Sequence, residues 1–526
     1  MSLKGIFTAI AKVRRDVFTE VARFAYEDSP NYNTLEEIPY KIVPGEIASH
    51  RESIFLERAI VGERIRLAMG LPLRRISEHA PIPAGIDEKS LTNTIYKPPF
   101  VNIIKFACNS CPDNVYKTTD ICRGCLARPC VEVCPKKAVS MVNGKSFIDQ
   151  DLCIKCGRCK AVCPYDAIAK LERPCARACG MDAITSDKYG RAEIDYDKCV
   201  SCGVCISSCP FGAIADKSQI FQLINEIKSG SRVIAEIAPA FAGQFGPKVT
   251  PEKLKAALLE LGFFDVVEVA IGADLCTIEE AEDYMKNVPE KLDFMATSCC
   301  PSWSVMAKKL FPEFADNISM AMTPMVFTAR FIKQRYKDSK VVFIGPCVSK
   351  KLEATRKTVK SHVDYVLTFE EVMGMFEAKN IVLEEMEPAD NMSFGTGAGR
   401  GFAVSAYCRC SFQFAGQQYR AAAAAAEKAF PNREIPIDQA DGLKECRNML
   451  MLAKAGKRNG YLLEGMACPG GCVAGTGTIQ PVNKSTATVN NYKKKAEKQV
   501  ANESKYAEML SKLDESWFDE WELEVE

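Results

Sequence analysis

The chain has 526 residues with 25 cysteines, three histidines and a formal net charge of +1. A charge so close to zero gives no sign of nucleic-acid binding, and three histidines nearly exclude a metal site built from several imidazoles. Many cysteines instead stand at C-x-x-C spacings in a long chain, which favours thiolate metal ligands in a reducing compartment over a disulfide framework.

The first predicted element is an amphipathic helix at Lys4–Tyr26, where apolar residues recur at helical spacing. We expect its apolar face to pack on the protein itself; a membrane-surface or partner-binding helix is the alternative. No apolar run approaches the roughly 20 residues of a membrane span, and the N-terminus lacks a secretory apolar core. The sequence therefore predicts a cytoplasmic protein. The remainder of residues 1–100 has no assignable role.

Residues 101–217 hold sixteen of the cysteines and an internal repeat. The four copies end in the same pattern, C-x-x-x-A followed by valine or isoleucine. The cysteines of this pattern are Cys134, Cys163, Cys179 and Cys209. Short strands are predicted at Ser146–Ile148 and Ala192–Ile194, before cluster loops. Each copy resembles a ferredoxin half-module, and such small units depend on bound metal for much of their folding energy.

Two cysteine runs fit the bacterial ferredoxin spacing, in which three thiolates wrap one [4Fe–4S] cube and the fourth reaches a second cube. These runs are Cys153, Cys156, Cys159, Cys163 and Cys199, Cys202, Cys205, Cys209. A longer-loop variant comprises Cys122, Cys125, Cys130 and Cys134. Structural zinc is the alternative, but four-ligand zinc sites do not use the Cys-Pro ending.

The exchange of fourth ligands divides these cysteines into clusters. The predicted sets are Cys122, Cys125, Cys130, Cys163; Cys153, Cys156, Cys159, Cys134; and Cys199, Cys202, Cys205, Cys179. Cys175 and Cys209 then remain, and Cys108 with Cys111 would complete a fourth cluster. Alternatively, these four cysteines have other roles and only three clusters form. The sequence therefore predicts three to four accessory clusters.

Residues 218–483 alternate strand-like and helical stretches, which predicts an α/β domain with a largely parallel sheet. The predicted strands are Val233–Ile237, Val266–Val269, Phe294–Ala296 and Val341–Ile344, and the clearest helices are Pro251–Leu261 and Ile278–Met285. The cysteines of this region follow strands directly, where parallel sheets usually carry their sites. A further helix is predicted at the alanine run 421–426, and residues 484–526 are predicted to form a C-terminal helix and tail.

Three segments resemble the signature motifs of the [FeFe]-hydrogenases. They are T-S-C-C-P-S-W at Thr297–Trp303, G-P-C-V-S-K-K at Gly345–Lys351 and E-G-M-A-C-P-G-G-C at Glu464–Cys472. The family makes or consumes H2 at a six-iron centre, the H-cluster. The resemblance covers about residues 100–483 and implies ferredoxin-type modules followed by a two-lobed catalytic domain with mostly parallel sheets flanked by helices.

The resemblance also implies the ligands of that centre. A [4Fe–4S] cube would be held by Cys300, Cys347, Cys468 and Cys472. Cys472 would bridge to a two-iron unit that carries CO, cyanide and a dithiolate. Dedicated maturation proteins would have to build this unit, so the chain expressed without them should be inactive.

The resemblance also implies roles for residues that neighbour these ligands. Cys299 would relay protons, a task suited to a thiol with a pKa near neutrality, and an inert buried cysteine is the alternative. Lys350 would hydrogen-bond a cyanide ligand, with Glu353 as the acid that follows it. The two-iron pocket would be lined by Ala238, Pro239, Ala240, Gly345, Pro346 and Met466.

Proton transfer beyond Cys299 is predicted at Glu280, Ser319 and Asp283. Glu280 and Asp283 stand three residues apart and share a helix face. The alternative is that these acids are ordinary surface charges.

Three departures distinguish the chain from the best-known members. Gly345 stands where they carry methionine, Met325 replaces a glutamine, and the third motif ends in Val473–Gly477 rather than in a plain glycine run. These changes resemble a less-studied branch, often called group B. Four cysteines match no motif: Cys276, Cys408, Cys410 and Cys446.

The predicted function is reversible formation of H2 from two protons and two electrons, with electrons carried along [4Fe–4S] clusters to or from a ferredoxin-like protein. A non-catalytic iron–sulfur assembly or carrier protein is one alternative. The retained Cys299, Lys350 and Cys472 argue against it, because a carrier needs no proton relay. An H2 sensor is another, ranked lower because no output domain is visible in the sequence.

Overall fold

The computed structural model describes residues 5–86, 97–356, 359–390, 392–403 and 435–508. Cys408, Cys410, the alanine run 421–426 and the tail from residue 509 lie outside these ranges. The protein has an α/β fold, with small antiparallel cluster modules preceding a domain built on parallel sheets.

The N-terminal region forms α1 (Ala9–Tyr26), α2 (Ile38–Ile42) and α3 (Ile54–Ala68). The first helix begins at Ala9, five residues later than predicted, because the Thr8 hydroxyl caps its N-terminus by accepting the Ala11 N–H at 3.2 Å. Ser53 caps α3 in the same way.

The cysteine-rich region consists of short strands and one-turn helices. Its elements are β1 (Val101–Ile103), β2 (Val115–Thr118), α4 (Pro129–Glu132), β3 (Val139–Val142), β4 (Lys145–Ile148), α5 (Arg158–Ala161), β5 (Ile168–Leu171), α6 (Pro174–Ala178), β6 (Ile184–Ser186), β7 (Ala192–Ile194), α7 (Val204–Ser208) and β8 (Ile214–Asp216). The strands form four separate antiparallel pairs: β2 with β5, β3 with β4, β6 with β7, and β1 with β8. Both strands predicted here are confirmed.

The internal repeat has a structural cause. In every copy the alanine four residues after the Cys-Pro-type cysteine directs its backbone N–H at that cysteine's sulfur, at 3.3–3.4 Å. The pairs are Ala138–Cys134, Ala167–Cys163, Ala183–Cys179 and Ala213–Cys209. All four alanines are at most 2% exposed, so a larger side chain would not fit.

The remaining elements belong to the larger domain. They are α8 (Ile220–Lys228), β9 (Val233–Ile237), α9 (Pro251–Glu260), β10 (Asp265–Glu268), α10 (Ala270–Asn287), β11 (Met295–Ala296), α11 (Pro301–Leu310), α12 (Pro324–Arg335), β12 (Lys340–Gly345), α13 (Ser349–Thr355), β13 (Tyr365–Thr368), α14 (Phe369–Ala378), α15 (Gly397–Gly401), β14 (Ile437–Asp441), α16 (Leu443–Lys454), β15 (Leu462–Met466) and α17 (Val482–Lys494). Each strand and helix predicted within the described residues overlaps one of these, whereas the helix predicted at the alanine run 421–426 lies outside the described residues.

Two all-parallel sheets organise this domain. One has the strand order β10-β9-β12-β13, and the other has the order β11-β15-β14. The first sheet is buried in a large apolar core that includes every residue of β9 except its glutamate. The predicted parallel architecture is confirmed.

The N-terminal region ties the two parts of the molecule together. The apolar face of α1 packs on α14, α8 and α3, which confirms that the helix packs on its own protein. Arg14 forms a 2.6 Å ion pair with Glu370 of α14, and the Arg64 guanidinium donates to the carbonyl of Gly212 in the cluster region. Throughout the described ranges, every helix is too short or too polar to cross a membrane.

Candidate cluster-binding and catalytic site

The motif cysteines lie where parallel strands end. Cys299 and Cys300 follow β11 and begin α11, Cys347 follows β12, and Cys468 follows β15. The two sheets thus present their carboxyl edges to one another, and loops from both supply the thiols, as the sequence predicted.

The four predicted cube ligands come together. Burial raises the pKa of the Cys472 thiol well above its usual value, and Cys347, Cys300 and Cys468 add to that effect. Burial and then Cys347 raise the pKa of Cys300 to about 11, and the Ala467 N–H lies 3.5 Å from its sulfur. All described cysteines are free thiols.

This donor set fits an iron–sulfur cube. Clustered, desolvated thiols become stable thiolates only when a cation compensates their charge, and an all-sulfur set selects soft metals such as iron in a cube. Within the described residues, His, Cys, Asp and Glu side chains do not converge in groups of three around a single metal ion.

Cys299 stands beside this set. Its sulfur lies 3.9 Å from the Thr297 hydroxyl, and Lys350 Nζ donates to its carbonyl at 3.3 Å. Burial, followed by the acids Glu280 and Glu464, raises the pKa of the Cys299 thiol well above its usual value. The expected pKa near neutrality is thus wrong, because desolvation and the two acids outweigh the nearby ammonium of Lys350.

Lys350 carries a buried charge. Burial lowers its pKa, but Glu353, whose carboxylate lies 2.6 Å from Nζ, outweighs this and raises the pKa above its usual value. A second acid, Glu236 of β9, faces the same lysine; it is fully buried and neither of its oxygens has a hydrogen-bond partner among the described residues. Burial raises the pKa of Glu236 well above its usual value.

Glu280 and Ser319 meet as predicted. The Glu280 carboxylate accepts the Ser298 N–H at 3.2 Å and hydrogen-bonds the Ser319 hydroxyl. Burial raises the pKa of this carboxyl to about 7. Asp283 lies about one helical turn further along α10 and is half-buried, with its pKa raised by burial. These acids are therefore not ordinary surface charges.

The apolar wall is assembled from three strand ends. The Ala238–Ala240 turn is anchored where Ala238 N–H donates to Ile344 at 2.9 Å, and Met466 Sδ lies 3.9 Å from the Cys472 sulfur. Gly345 is required sterically, because a Cβ there would lie 2.4 Å from the Phe343 ring. Pro346 offers its carbonyl to the Gly477 N–H at 2.9 Å.

Cys202 of the cluster region interacts electrostatically with Cys468. Burial raises the pKa of Cys202 well above its usual value, and Cys468, Cys179 and Cys199 add to that effect. Cys205 interacts with Cys202, Cys199 and Cys179 in the same way. The structure therefore brings together the predicted set of Cys179, Cys199, Cys202 and Cys205.

Four leftover cysteines share one small cavity. Cys108, Cys111, Cys175 and Cys209 all line it. Burial raises the pKa of Cys175 to about 12, with Cys209 and Cys108 contributing, although some 60 residues of chain separate the two pairs. This arrangement favours four accessory clusters over three.

In the first module, the structure brings together some of the cysteines that are predicted to share a cluster. Cys134 interacts with Cys159 together with Cys153 and Cys156, as expected for one cluster. For the other cluster, the Cys130 sulfur lies 3.8 Å from the Ser146 hydroxyl, and the Ser146 N–H donates to the Cys122 sulfur at 3.5 Å. Cys125 is partly buried in the same module.

The unassigned cysteines have buried positions. Cys446 is completely buried, with its sulfur 3.4 Å from the carbonyls of Ala440 and Met466. Cys276 is completely buried in α10.

Sequence reasoning missed three acids: Glu236, Glu279 and Glu464. Glu279 accepts the Met322 N–H at 3.2 Å, and burial raises its pKa to about 7. Glu464 lies in the third motif and is 2% exposed. The available signal was a single acid inside an otherwise apolar strand, as in V-I-A-E-I at Val233–Ile237 and L-L-E-G-M at Leu462–Met466.

Comparison with known proteins agrees with this geometry. Residues 231–476 match the iron-only hydrogenase large subunit, C-terminal domain; residues 122–172 match the LdpA Fe-S cluster-binding domain; and residues 192–215 match the 4Fe-4S binding domain.

Three relatives illustrate the range of similar proteins. Iron hydrogenase 1 of Clostridium pasteurianum is 30% identical over 47% of this chain and 48% of that protein. The periplasmic [Fe] hydrogenase large subunit of Nitratidesulfovibrio vulgaris is 27% identical over 51% and 73%, respectively. Cytosolic iron-sulfur assembly component 3 of Pongo abelii is 26% identical over 47% and 60%. The chain thus spans about half the length of the clostridial protein. The domain match over residues 231–476, together with the three motifs inside that range, supports membership of the [FeFe]-hydrogenase family.

Proposed function

We propose that this protein catalyses the reversible conversion of two protons and two electrons into H2 at an H-cluster. The observation that carries the proposal is a proton-handling group, Cys299 with Glu280 and Ser319, directly beside the four clustered thiols. A site that only stored or transferred an iron–sulfur cluster would have no use for that group.

The cofactor would be held by Cys300, Cys347, Cys468 and Cys472, with Cys472 as the bridging thiolate. When bound, the H-cluster supplies the redox centre at which H2 is formed or split. The Ala238–Ala240 turn and Met466 would exclude water and competing ligands from it. Lys350 places an ammonium where an anionic ligand would lie, and Glu353 holds that ammonium in position.

Protons would move through side chains of this chain. Cys299 would exchange a proton at its sulfur with the reacting centre, and Glu280 would restore it. With a pKa of about 7, Glu280 is present in both protonation states near neutral pH, which suits a group that must both accept and donate. Ser319 and Asp283 would continue the path toward solvent.

Electrons would enter through the cluster region. The electrostatic interaction of Cys202 with Cys468 supports the Cys179-containing cluster as the last step before the catalytic centre. A ferredoxin-like carrier would exchange electrons at the first module, residues 115–171. Membership of the group B branch remains part of this proposal.

The second candidate is an iron–sulfur assembly protein, favoured by the similarity to cytosolic iron-sulfur assembly component 3. Cys299→Ala separates the two functions. We expect the variant, matured anaerobically, to lose H2 turnover by about 10²-fold or more while it keeps its iron. Cys446→Ala, which removes a completely buried thiol whose sulfur lies 3.4 Å from the carbonyls of Ala440 and Met466, is the control. Wild-type turnover in the Cys299→Ala variant would contradict the proposal.

A further inference from the structure

A buried arginine shares the cavity of the four leftover cysteines. Arg173 is 3% exposed and lines this cavity together with Cys108, Cys111, Cys175 and Cys209. None of the described residues that line the cavity is acidic. A permanent positive charge therefore lies beside four thiols in surroundings that are otherwise largely apolar.

The backbone holds this guanidinium in place. Nη1 donates to the Thr185 carbonyl at 2.8 Å, and Nη2 donates to the carbonyls of Cys111 at 3.1 Å and Gly190 at 2.7 Å. Nε is buried and has no hydrogen-bond partner among the described residues. An unsatisfied buried donor costs free energy, so this N–H indicates that an acceptor binds in the cavity.

The charge of Arg173 requires an anion as well. Acids close to it in the chain are paired with other cations: Glu172 lies 2.5 Å from Lys170, and Asp187 lies 3.0 Å from Arg191. A buried charge without a partner is costly, and an arginine does not escape that cost by losing its proton. The four thiols supply the anion once they bind iron, because a [4Fe–4S] cluster with four thiolate ligands carries a net negative charge.

Two of the four sulfurs already have the surroundings of cluster ligands. The Ala192 N–H donates to the Cys108 sulfur at 3.3 Å, and the Ala213 N–H donates to the Cys209 sulfur at 3.4 Å. Hydrogen bonds to sulfur stabilise the negative charge of a cluster. The thiols, the two N–H groups and the guanidinium together fit a [4Fe–4S] cluster.

We propose that these four cysteines hold a fourth accessory [4Fe–4S] cluster and that Arg173 is its fixed counter-charge. The guanidinium stabilises the electron that the cluster takes up, and it thereby raises the reduction potential. One electron arrives from the ferredoxin-like carrier and passes to the next cluster, while Arg173 neither gains nor loses a proton. The inference rests on the proposed function only for this source and destination of the electron.

The first step of the test establishes the cluster. The full-length chain, loaded with [4Fe–4S] clusters but produced without the maturation proteins, is titrated with reductant and followed by electron paramagnetic resonance. A double variant, Cys108→Ala with Cys111→Ala, should bind less iron than the wild type by the content of one cluster and should lack one signal. Wild-type iron content and signals in the double variant would overturn the proposal.

The second step separates the charge of Arg173 from its hydrogen bonds. Arg173→Gln and Arg173→Lys both lose the guanidinium fork, but only Arg173→Gln loses the charge. At the wild-type midpoint of the missing signal, Arg173→Gln should lower the ratio of reduced to oxidised cluster about tenfold, a shift of about 59 mV to more negative potential. Arg173→Lys should stay close to the wild type.

Arg177→Gln is the matched control, because it removes a solvent-exposed charge from the same helix, α6, and should leave the potential unchanged. Equal potentials in Arg173→Gln and Arg173→Lys would contradict the counter-charge role. If Arg173→Gln does not bind the cluster, retention by Arg173→Lys supports that role and loss from both variants contradicts it. The expected shift in a protein that forms no H2 after maturation would support the inference and contradict the proposed function, whereas H2 formation without the shift would do the reverse.

Discussion

The cluster region and the parallel-sheet domain both carry thiol ligands, but they hold them in opposite ways. In the first module, a handful of small apolar residues such as Val139, Ile148 and Ile168 form the core, and Leu126 remains 94% exposed. In the larger domain, the thiols sit at the edges of sheets buried in a core that would exist without them. The first region depends on bound metal for its folding, whereas the second region folds around its own core and presents thiols that bind metal.

The surroundings of the thiols differ accordingly. The cysteines of the cluster region receive backbone N–H groups from their own repeat and are partly open to solvent, as at Cys156. The motif cysteines of the larger domain are bordered by buried charged groups, among them Lys350, Glu353 and Glu280. Backbone N–H groups suffice to stabilise charge that stays on a cluster, while ionisable side chains are needed where protons move.

Removal of iron should have the largest effect and should separate the two regions most clearly. Treatment with an anaerobic chelator is expected to unfold residues 115–171, because cluster ligation contributes on the order of 10 kcal/mol to so small a unit. The sheets of the larger domain should persist. Limited proteolysis with mass spectrometry checks this, with reconstituted protein as the control. An iron-free first module as resistant as the loaded one would contradict the account.

Lys351 joins the two regions and provides the next largest effect. Its ammonium is completely buried between Asp216 of β8, at 2.7 Å, and Glu371 of α14, at 2.8 Å. Lys351→Met removes the ammonium that two buried carboxylates share and leaves Asp216 only its longer 3.9 Å pair with Arg14. The substitution should lower the free energy of unfolding by about 3–5 kcal/mol.

Lys454→Met, which removes a solvent-exposed pair with Glu313, is the matched control and should cost at most about 1 kcal/mol. Chemical denaturation of the loaded protein measures both. Equal losses in the two variants would show that Lys351 does not act as the shared counter-ion.

Glu280→Gln tests whether the catalytic region depends on a proton carrier. We expect turnover to fall by about 10²-fold with iron content unchanged, and the rate to lose an inflection near pH 7. Because the folded pKa of Glu280 is raised to about 7 from about 4.3 when unfolded, its ionisation also lowers stability as the pH rises between these values. The variant should lack that decline.

The matched control is Glu282→Gln, on the same helix but paired with Lys286 at 3.4 Å on the surface. It should keep both the rate and the pH profile. A pH profile of Glu280→Gln identical to that of the wild type would remove Glu280 from the relay.

Ser302 makes the smallest predicted contribution. Its hydroxyl donates to the Val200 carbonyl of the cluster region at 2.9 Å and lies 2.8 Å from the Ser349 hydroxyl. Ser302→Ala should cost about 1 kcal/mol in thermal or chemical unfolding, because one buried hydrogen bond between regions is lost. Ser304→Ala, whose hydroxyl bonds only within its own helix turn, should cost less. A larger loss of stability in Ser304→Ala than in Ser302→Ala would contradict the role of Ser302 as a contact between the two regions.

Local spacing explains what the sequence could predict. The cysteine runs, the strands that precede the motif loops and the pairing of Glu280 with Ser319 follow from patterns of a few residues or from the family motifs. Glu464 and Glu236 were missed because an acid in an apolar strand becomes informative only once its neighbours are known. The convergence of Cys108 and Cys111 with Cys175 could be suggested only by counting leftover thiols.

The wrong expectation concerned Cys299. A relay thiol was expected to have a pKa near neutrality, but burial and the charges of Glu280 and Glu464 raise it. Composition cannot show which charges face a side chain. The N-terminal region was opaque for the same reason, since the role of α1 depends on residues more than 300 positions away, such as Glu370.

The most direct test of the central claim is infrared spectroscopy of the anaerobically matured protein in the region of metal-bound CO and cyanide. The account predicts bands in this region that shift when H2 is added, since Cys300, Cys347, Cys468 and Cys472 would hold an H-cluster. A spectrum without such bands, from protein whose [4Fe–4S] clusters are intact, would contradict the proposed catalysis and favour the assembly function.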